Sequence, residues 1–147
     1  MKRTFILLCV AGVLAACGGA ASEPDAAAPE ESGLTVAQLE HGIGPVSSVQ
    51  LGAIDPALAA EGEEVFTVKC SACHKMSDRY VGPPLGKVTE SRSPGFIMNM
   101  MLNPAEMVEK HPAVREMLAQ YMTAMPNQQL TEADARAVLE YLRAQAQ

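Results

Sequence analysis

CSACHKM, residues 70–76, combines two cysteines, a histidine and a methionine within seven positions. At the end of a helix, two thiols with this spacing can bond to the two vinyl groups on one edge of a porphyrin. The histidine after Cys73 is then held beneath the iron, where a neutral imidazole nitrogen can ligate it. C-x-x-C-H is the attachment signature of c-type haem, so Cys70, Cys73 and His74 predict one covalently bound haem c.

Two other uses of a cysteine pair fit the rest of the sequence poorly. A structural zinc site takes four ligands, usually from a second C-x-x-C or from paired histidines, whereas His41 and His111 stand alone and far apart. A thioredoxin-like disulfide pair belongs beside a βαβ pattern, and no strand is predicted in this chain. Haem attachment is therefore the favoured interpretation.

The motif follows directly on a predicted helix. Asp55 is a suitable N-cap and Pro56 suits the first helical position, so this helix is predicted to run from Pro56 to Cys70. A last helix is predicted after Thr131, which forms a capping-box-like pair with Asp134.

Two more helices are predicted between these, opened by Pro94 and Pro112. β-branched residues are sparse, and no stretch alternates polar and apolar residues for long. The predicted fold is therefore all-α, with about four helices and no sheet. Gly62, inside the first of these helices, is expected to mark a close crossing with the last one near Tyr141 and Leu142.

The N-terminus predicts export and a lipid anchor. Lys2 and Arg3 precede a twelve-residue apolar stretch, residues 5–16, which is shorter than the ~20 residues that span a bilayer and has the form of a secretory signal. The sequence LAAC at 14–17 resembles the lipobox of bacterial lipoproteins, which implies that Cys17 is lipidated. An ordinary cleaved signal with an unmodified Cys17 is the alternative.

Composition divides the chain into four segments. Residues 1–16 are the predicted signal peptide, and residues 17–33, rich in Ala, Gly, Ser, Pro and acid, are a predicted flexible tether. Apolar residues recur through residues 34–55, which are predicted to pack on the domain as an extension without regular structure; continued linker is the alternative. Residues 56–147 form the predicted domain.

Basic residues gather around the motif although the chain as a whole carries a net charge of −6. The charged residues between positions 65 and 89 are Lys69, Lys75, Asp78, Arg79 and Lys87. We expect this basic surface to steer docking onto an acidic protein partner, with a merely solvated face as the alternative. No nucleic acid partner is expected.

Several stretches together resemble the class I c-type cytochromes, which are monohaem electron carriers with an all-helical fold. The match extends over residues 56–145 and rests on GEEVF at 62–66, CSACH at 70–74, VGPPL at 81–85, AMPNQQL at 124–130 and AVLEYLR at 137–143. The resemblance implies the class I cytochrome c fold around one covalent haem. It also implies an electron carrier and not an enzyme.

The same resemblance assigns roles to single residues. It implies that Gly62 and Phe66 of the first helix cross Tyr141 of the last. It also implies that the carbonyl of Pro83 accepts a hydrogen bond from His74, which fixes the ring and strengthens its donation to iron.

Met125 is the predicted second iron ligand. It precedes Pro126, which moves its backbone out of the α region and into a loop. The resemblance implies the same, because the family's distal ligand is a methionine in a short MP loop. Met76 lies too close to His74 to reach across the iron, and the other methionines are expected to fill the core. His111, also before a proline, is the alternative and would give a bis-histidine haem.

These assignments predict a one-electron carrier with His74 and Met125 on the iron. Apolar walls are expected to keep water off; they include Leu85, Phe96 and Ile97. The competing class is an enzyme or gas sensor, such as a peroxidase, which needs an open sixth position on the iron. A structural lipoprotein with an inert haem is a third alternative.

The middle of the chain, residues 91–122, is similar to a smaller group of lipoprotein cytochromes that serve membrane-linked respiratory enzymes. This similarity implies a haem–copper oxidase, nitrous oxide reductase or a quinol-oxidising complex as redox partner. It also implies a location on the periplasmic side of the cell envelope. We expect a monomer that the lipid on Cys17 anchors to a membrane.

Overall fold

The computed structural model of the chain describes residues 33–146, so the predicted signal peptide, Cys17 and nearly all of the predicted tether lie outside the described residues. This part of the chain contains seven α-helices and no strand: α1 (Val36–His41), α2 (Pro56–Lys69), α3 (Val88–Ser91), α4 (Pro94–Leu102), α5 (Pro104–Lys110), α6 (Pro112–Tyr121) and α7 (Glu132–Gln145). The all-α prediction is confirmed. The expected number of helices was wrong, because α1, α3 and α5 were not predicted. No helix among the described residues is long and apolar enough to cross a membrane.

Local sequence chemistry sets the starts of the long helices. The Asp55 carboxylate accepts hydrogen bonds from the amides of Ala57 (2.9 Å) and Leu58 (3.3 Å) ahead of α2. The Thr131 hydroxyl accepts from the Asp134 amide, and the Asp134 carboxylate accepts from the Thr131 amide, which completes a capping box on α7. Both predicted helix starts are confirmed.

Helices α2 and α7 cross in close contact at Gly62. A Cβ atom on Gly62 would overlap the backbone carbonyl of Ala137, so only glycine allows this approach. The crossing point lies one turn before the expected partners Tyr141 and Leu142, and that detail of the prediction was wrong. Tyr141 instead packs on Phe66, with ring centroids 5.3 Å apart, as the resemblance implies.

Residues 33–55 pack on the helical domain, and part of this extension is helical. The expectation that it lacks regular structure was wrong for α1, whose first turn carries a capping box between Thr35 and Gln38. Three apolar side chains of the extension are buried: Leu34, Ile43 and Val46. Leu34 and Ile43 pack in one cluster with residues of α4, α5 and α6, so the extension covers the outer side of these helices.

The buried amide of Asn99 on α4 fastens the first half of the extension. Its Nδ2 donates to the carbonyls of His41 (2.9 Å) and Val46 (2.8 Å), and its Oδ1 accepts from the Val46 amide (3.0 Å). A Cβ atom on Gly44 would overlap the same amide group. The extension therefore docks through a polar side chain that is fully buried and fully bonded.

The buried carboxylate of Glu140 on α7 fastens the second half. It accepts hydrogen bonds from the Asp55 amide (2.8 Å) and from Arg136 and Arg143, and Arg143 also donates to the Gly52 carbonyl (2.8 Å). Burial on its own raises the pKa of Glu140, but the bonds from the Asp55 amide and the two arginines outweigh it, so the pKa lies below its usual range. Glu140 is therefore a fully paired buried carboxylate.

Candidate functional site

A cavity of about 370 Å³ lies between the long helices, and its walls are mostly carbon. The helical residues that line it come from α2 (Phe66), α3 (Val88 and Ser91), α4 (Phe96, Ile97, Met100 and Met101), α5 (Val108), α6 (Val114, Met117, Leu118 and Tyr121) and α7 (Val138 and Leu142). The three side chains expected to keep water off, Leu85, Phe96 and Ile97, are all part of its lining. The cavity can therefore hold a large apolar group.

The end of α2 delivers both cysteines and the histidine to this cavity. The amides of Cys73 (3.0 Å) and His74 (2.9 Å) both donate to the carbonyl of Cys70, which folds CSACH into a tight turn. Cys70, Cys73 and His74 line the cavity together. Both thiols are unpaired, as attachment to a second molecule requires.

The pKa of the Cys70 thiol is shifted in the opposite direction to that of a redox-active thiol. Burial, with a smaller contribution from the charge of Cys73, raises its pKa to about 11. Thiol–disulfide enzymes instead lower this pKa to form a thiolate near neutral pH. No group of three or more His, Cys, Asp or Glu side chains within residues 33–146 could hold a metal ion, so zinc also lacks support there.

Two groups hold the imidazole of His74 in place: the carbonyl of Pro83 and the backbone of Gly82. Nδ1 lies 2.9 Å from the carbonyl oxygen of Pro83, an acceptor, so Nδ1 carries the proton and the Nε2 lone pair is free to ligate a metal. Gly82 packs on the ring, because a Cβ atom there would overlap Cε1 and lie 2.9 Å from Nδ1. The amide of Gly82 donates to the Cys73 carbonyl (2.9 Å), so the loop that holds the ring is itself bonded to the motif.

Met125 lines the same cavity from the irregular segment between α6 and α7. Its side chain is half-buried, whereas Met122 at the start of this segment is 82% exposed. The backbone turns with positive φ at Met122 (56°) and at Gln129 (56°), one on each side of Met125. The structure thus brings the thioether of Met125 and the imidazole of His74 to one cavity.

Three further methionines line the cavity from helices: Met100, Met101 and Met117. The sequence suggested only that helical methionines are core residues, and it gave no sign that these three face a cofactor-sized space. The described methionines that do not line it are Met76, Met98, Met107 and Met122. Met122 shares the loop before Pro126 but is exposed and outside the lining, so Met125 is the one described methionine that lines the cavity from a loop.

His111, the alternative ligand, lies outside the cavity lining. It is only 2% exposed, and its Nε2 lies 3.1 Å from the carbonyl oxygen of Leu39. Its ring meets the Phe96 ring edge-on at 5.1 Å, and Phe96 is a residue of the cavity wall. His111 therefore connects the extension to Phe96 from outside the cavity. The structure gives the bis-histidine alternative no support.

Basic side chains lie near the motif and are held by neutral partners. The Lys75 ammonium donates to the Ser71 carbonyl (2.7 Å), and the Arg79 guanidinium donates to the Gln120 carbonyl (2.8 Å) and lies 4.4 Å from the centre of the Tyr121 ring. Because none of these partners is acidic, these contacts leave the positive charge on this surface without a neutralising carboxylate.

The donor set fits a covalently attached haem. Two free thiols line an apolar cavity together with an imidazole whose Nε2 is available, and a thioether lines the same cavity. Each of these groups is one that c-type haem uses.

Comparisons with known proteins agree with this fit. A sequence model of the cytochrome c family matches residues 59–146. The structure is similar to the cytochrome c from Rhodothermus marinus, with 47% identity and a TM-score of 0.72, covering 74% of this chain and 95% of that one. An engineered cytochrome c from the same organism matches at 46% identity and a TM-score of 0.71, covering 74% of this chain and 96% of that one. That engineered protein bound to a carbene intermediate matches at 46% identity and a TM-score of 0.68, with the same coverage. No curated protein sequence matches the chain.

Proposed function

The chain belongs to the cytochrome c family, and we propose that it is a one-electron carrier whose haem iron is ligated by His74 and Met125. The family binds covalently attached haem c, and Cys70 and Cys73 are the attachment cysteines of its C-x-x-C-H motif. When bound, the haem supplies an iron that alternates between the ferrous and ferric states.

His74 is the proximal ligand in this proposal. The hydrogen bond from its Nδ1 to Pro83 keeps the ring in one orientation and makes Nε2 a stronger donor. Because CSACH folds into one hydrogen-bonded turn, it would hold the ligand and the porphyrin edge on a single segment of the chain. Little rearrangement is then needed for electron transfer.

The presence of Met125 in the cavity that contains His74 is the observation on which the proposal depends. With both His74 and Met125 as ligands, the iron would have no open site at which a substrate could bind. A thioether ligand also raises the reduction potential relative to a second histidine. The apolar lining excludes water, which further limits reorganisation during electron transfer.

An enzymatic role is the competing function. An engineered relative has been obtained with a bound carbene intermediate, so chemistry at the iron must be tested for this chain as well. The carrier and the enzyme differ at one place, the sixth coordination position, because only an enzyme needs it open to an external molecule.

Met125→Ala distinguishes the two functions. The wild-type ferric protein should be low-spin and show the weak far-red band of sulfur-to-iron charge transfer, and its ferrous form should resist carbon monoxide at neutral pH. Met125→Ala should lose the band, bind carbon monoxide and have a lower reduction potential, because the soft thioether favours ferrous iron. Optical spectra of both oxidation states provide the measurement.

Met117→Ala is the matched control, because Met117 lines the same cavity from a regular helix. It should keep the far-red band and lose only the ~2–5 kcal/mol of stability typical of truncating a buried methionine, or less, since Met117 is half-buried. A wild-type protein that binds carbon monoxide at once would contradict the carrier function. Loss of the band in Met117→Ala with retention in Met125→Ala would assign the ligand to the helix.

We further propose that the carrier acts on the periplasmic side of the cell envelope, tethered by lipid on Cys17. The lipobox-like sequence before Cys17 supports the anchor, and the basic side chains of Lys75 and Arg79 support docking onto an acidic redox protein. A haem–copper oxidase, nitrous oxide reductase or a quinol-oxidising complex fits this role, with the carrier acting as a monomer.

Cys17→Ser tests the anchor. The variant should appear in the soluble fraction with an unchanged optical spectrum, whereas the wild type should sediment with membranes. Wild-type protein that is already soluble would contradict lipidation and leave the haem assignments untouched.

A further inference from the structure

One side chain connects the segment that carries His74 with the helix that precedes Met125. Arg79 donates from Nη2 to the carbonyl oxygen of Gln120 (2.8 Å), and its guanidinium lies over the Tyr121 ring, 4.4 Å from the centre. Within residues 33–146, no other hydrogen bond joins residues 70–86 to residues 94–130. The contact of Arg79 therefore bridges the two parts of the chain that supply the proposed iron ligands.

The carbonyl that Arg79 meets belongs to the last turn of α6 (Pro112–Tyr121). The last carbonyls of an α-helix lack amide partners within the helix and carry a partial negative charge. A guanidinium that donates to one of them satisfies it and stabilises the helix end. The loop with Met125 begins directly after this end, where Met122 turns the backbone with a φ of 56°.

The last turn of α6 has less support from the rest of the protein than the turns before it. Helix α6 packs on α5, and its Val114 and Met117 belong to the cluster that includes Leu34 and Ile43 of the extension. Its last turn instead contributes Tyr121 to the lining of the haem cavity. The position of this turn therefore depends more on the contact with Arg79.

Arg79 is suited to this contact by its charge and its shape. No acidic side chain within residues 33–146 forms an ion pair with it, and the carboxylate of its neighbour Asp78 accepts from the Ser77 hydroxyl (2.6 Å). A planar guanidinium can lie over an aromatic ring and donate from its edge at the same time. An ammonium group has no plane and cannot form both contacts in this way.

We propose that Arg79 is a positioning residue for the distal ligand: it holds the end of α6, and thereby keeps the loop in which Met125 reaches the iron. The proposal rests on the proposed function, because it takes Met125 as the ligand. Arg79 acts through α6 and Tyr121 and not on the iron itself. This role needs the planar guanidinium, whereas docking onto an acidic partner needs only the positive charge.

Arg79→Gln tests the role through competition at the iron. Without the guanidinium the end of α6 is less restrained, so the sulfur of Met125 leaves the iron more often. The affinity of the ferric protein for added imidazole should rise about two- to five-fold, the factor that corresponds to one exposed contact between a cation and a ring. Arg79→Lys, which keeps the charge, should give an intermediate affinity. Optical titration measures both.

Arg115→Gln is the matched control, because Arg115 is an exposed arginine of the same helix whose side chain makes no hydrogen bond or ion pair within the described residues. It should have the wild-type affinity for imidazole. If the wild type shows the far-red band and Arg79→Gln binds imidazole no better than Arg115→Gln, the proposal is wrong. A wild type without that band contradicts ligation by Met125 and therefore the proposed function itself.

Hydrogen exchange tests the route through α6 independently of the iron. The amide of Met122 donates to the carbonyl of Leu118 (2.8 Å) and closes the last turn. This amide should exchange faster in Arg79→Gln and at the wild-type rate in Arg115→Gln. Faster exchange with an unchanged affinity for imidazole would show that Arg79 holds the helix but not the ligand, and a raised affinity without faster exchange would contradict the route through α6.

Discussion

His74 and Met125 both line the cavity, and the chain holds them in different ways. His74 follows a hydrogen-bonded turn, donates to Pro83 and packs against Gly82, whose amide bonds back to Cys73. The loop with Met125 packs on the core through Met125 and Leu130 but makes only local hydrogen bonds: in the described chain, none joins residues 123–130 to another helix or loop.

The cavity therefore has a rigid side at His74 and a less constrained side at Met125. On the His74 side, ring orientation, loop path and covalent attachment depend on one another, so one change affects all three. On the Met125 side, the position of the sulfur depends on packing and on backbone preferences in its own loop. Substitutions on the first side should therefore affect folding and haem binding, and those on the second should affect ligation with little change in stability.

Gly82→Ala should have the largest effect. The added methyl group overlaps the His74 ring and must displace it from Pro83 or move the loop. We expect a loss of about 1–3 kcal/mol in the free energy of unfolding, as for overpacking elsewhere, together with reduced haem incorporation. Denaturant unfolding and the yield of covalent haem per polypeptide measure the two effects.

Gly52→Ala is the control, because a Cβ atom on Gly52 meets no atom within 4 Å. It should leave haem incorporation unchanged. If Gly82→Ala behaves like Gly52→Ala, the His74 side is not the rigid one and the two sides do not differ as described.

Pro126→Ala should have an intermediate effect, confined to ligation. Without the proline, the backbone of Met125 can enter the α region, and the sulfur leaves the iron more often. We expect the affinity of the ferric protein for added imidazole to rise about two- to five-fold, which corresponds to the ~0.4–1 kcal/mol that a proline contributes by restricting the backbone. Optical titration measures it.

Pro94→Ala removes a proline from the first position of α4, away from the loop, and serves as the control. It should lower stability without changing the affinity for imidazole. Equal imidazole affinities in Pro126→Ala and the wild type would show that packing alone holds the sulfur.

Gln129→Gly should have the smallest effect. It should leave the protein more stable than the same substitution at Gln128. Gln129 has a φ of 56°, which strains a residue with a Cβ atom, so glycine relieves strain while adding backbone entropy to the unfolded chain. The two effects nearly cancel, and the net change in stability should stay below about 1 kcal/mol. Gln128→Gly, at a residue without positive φ, gains no relief and should be the less stable variant in thermal unfolding; the reverse order would contradict the strain.

The long helices could be predicted from sequence because their starts carry local signals. Asp55 with Pro56 and Thr131 with Asp134 each form the bonds that their chemistry suggests. Helices α1, α3 and α5 contain only six, four and seven residues, too few to show a helical period. A signal for α1 was present in the capping pair Thr35 and Gln38.

The attachment motif could be predicted equally well, but the wall of the cavity only in part, through Leu85, Phe96 and Ile97. CSACH and the Pro83 segment place their side chains through local geometry. Helix α4 is apolar or buried over most of its length, so the sequence shows no face and gives no indication that Met100 and Met101 line the cavity. The buried roles of Asn99 and Glu140 depend on partners distant in sequence, which only the folded chain brings together.

The crossing of α2 and α7 also sets the order in which the chain folds and accepts haem. Gly62 packs against Ala137, and the Asp55–Glu140 hydrogen bond joins residues 85 positions apart, so the domain cannot close until its last helix has been synthesised. CSACH emerges much earlier, at the end of a helix that still lacks its partner. We therefore expect a chain stopped before residue 131 to be rapidly proteolysed yet still to accept haem at its cysteines. Because α7 is synthesised last, both thiols stay accessible for haem attachment until the cavity around them has closed.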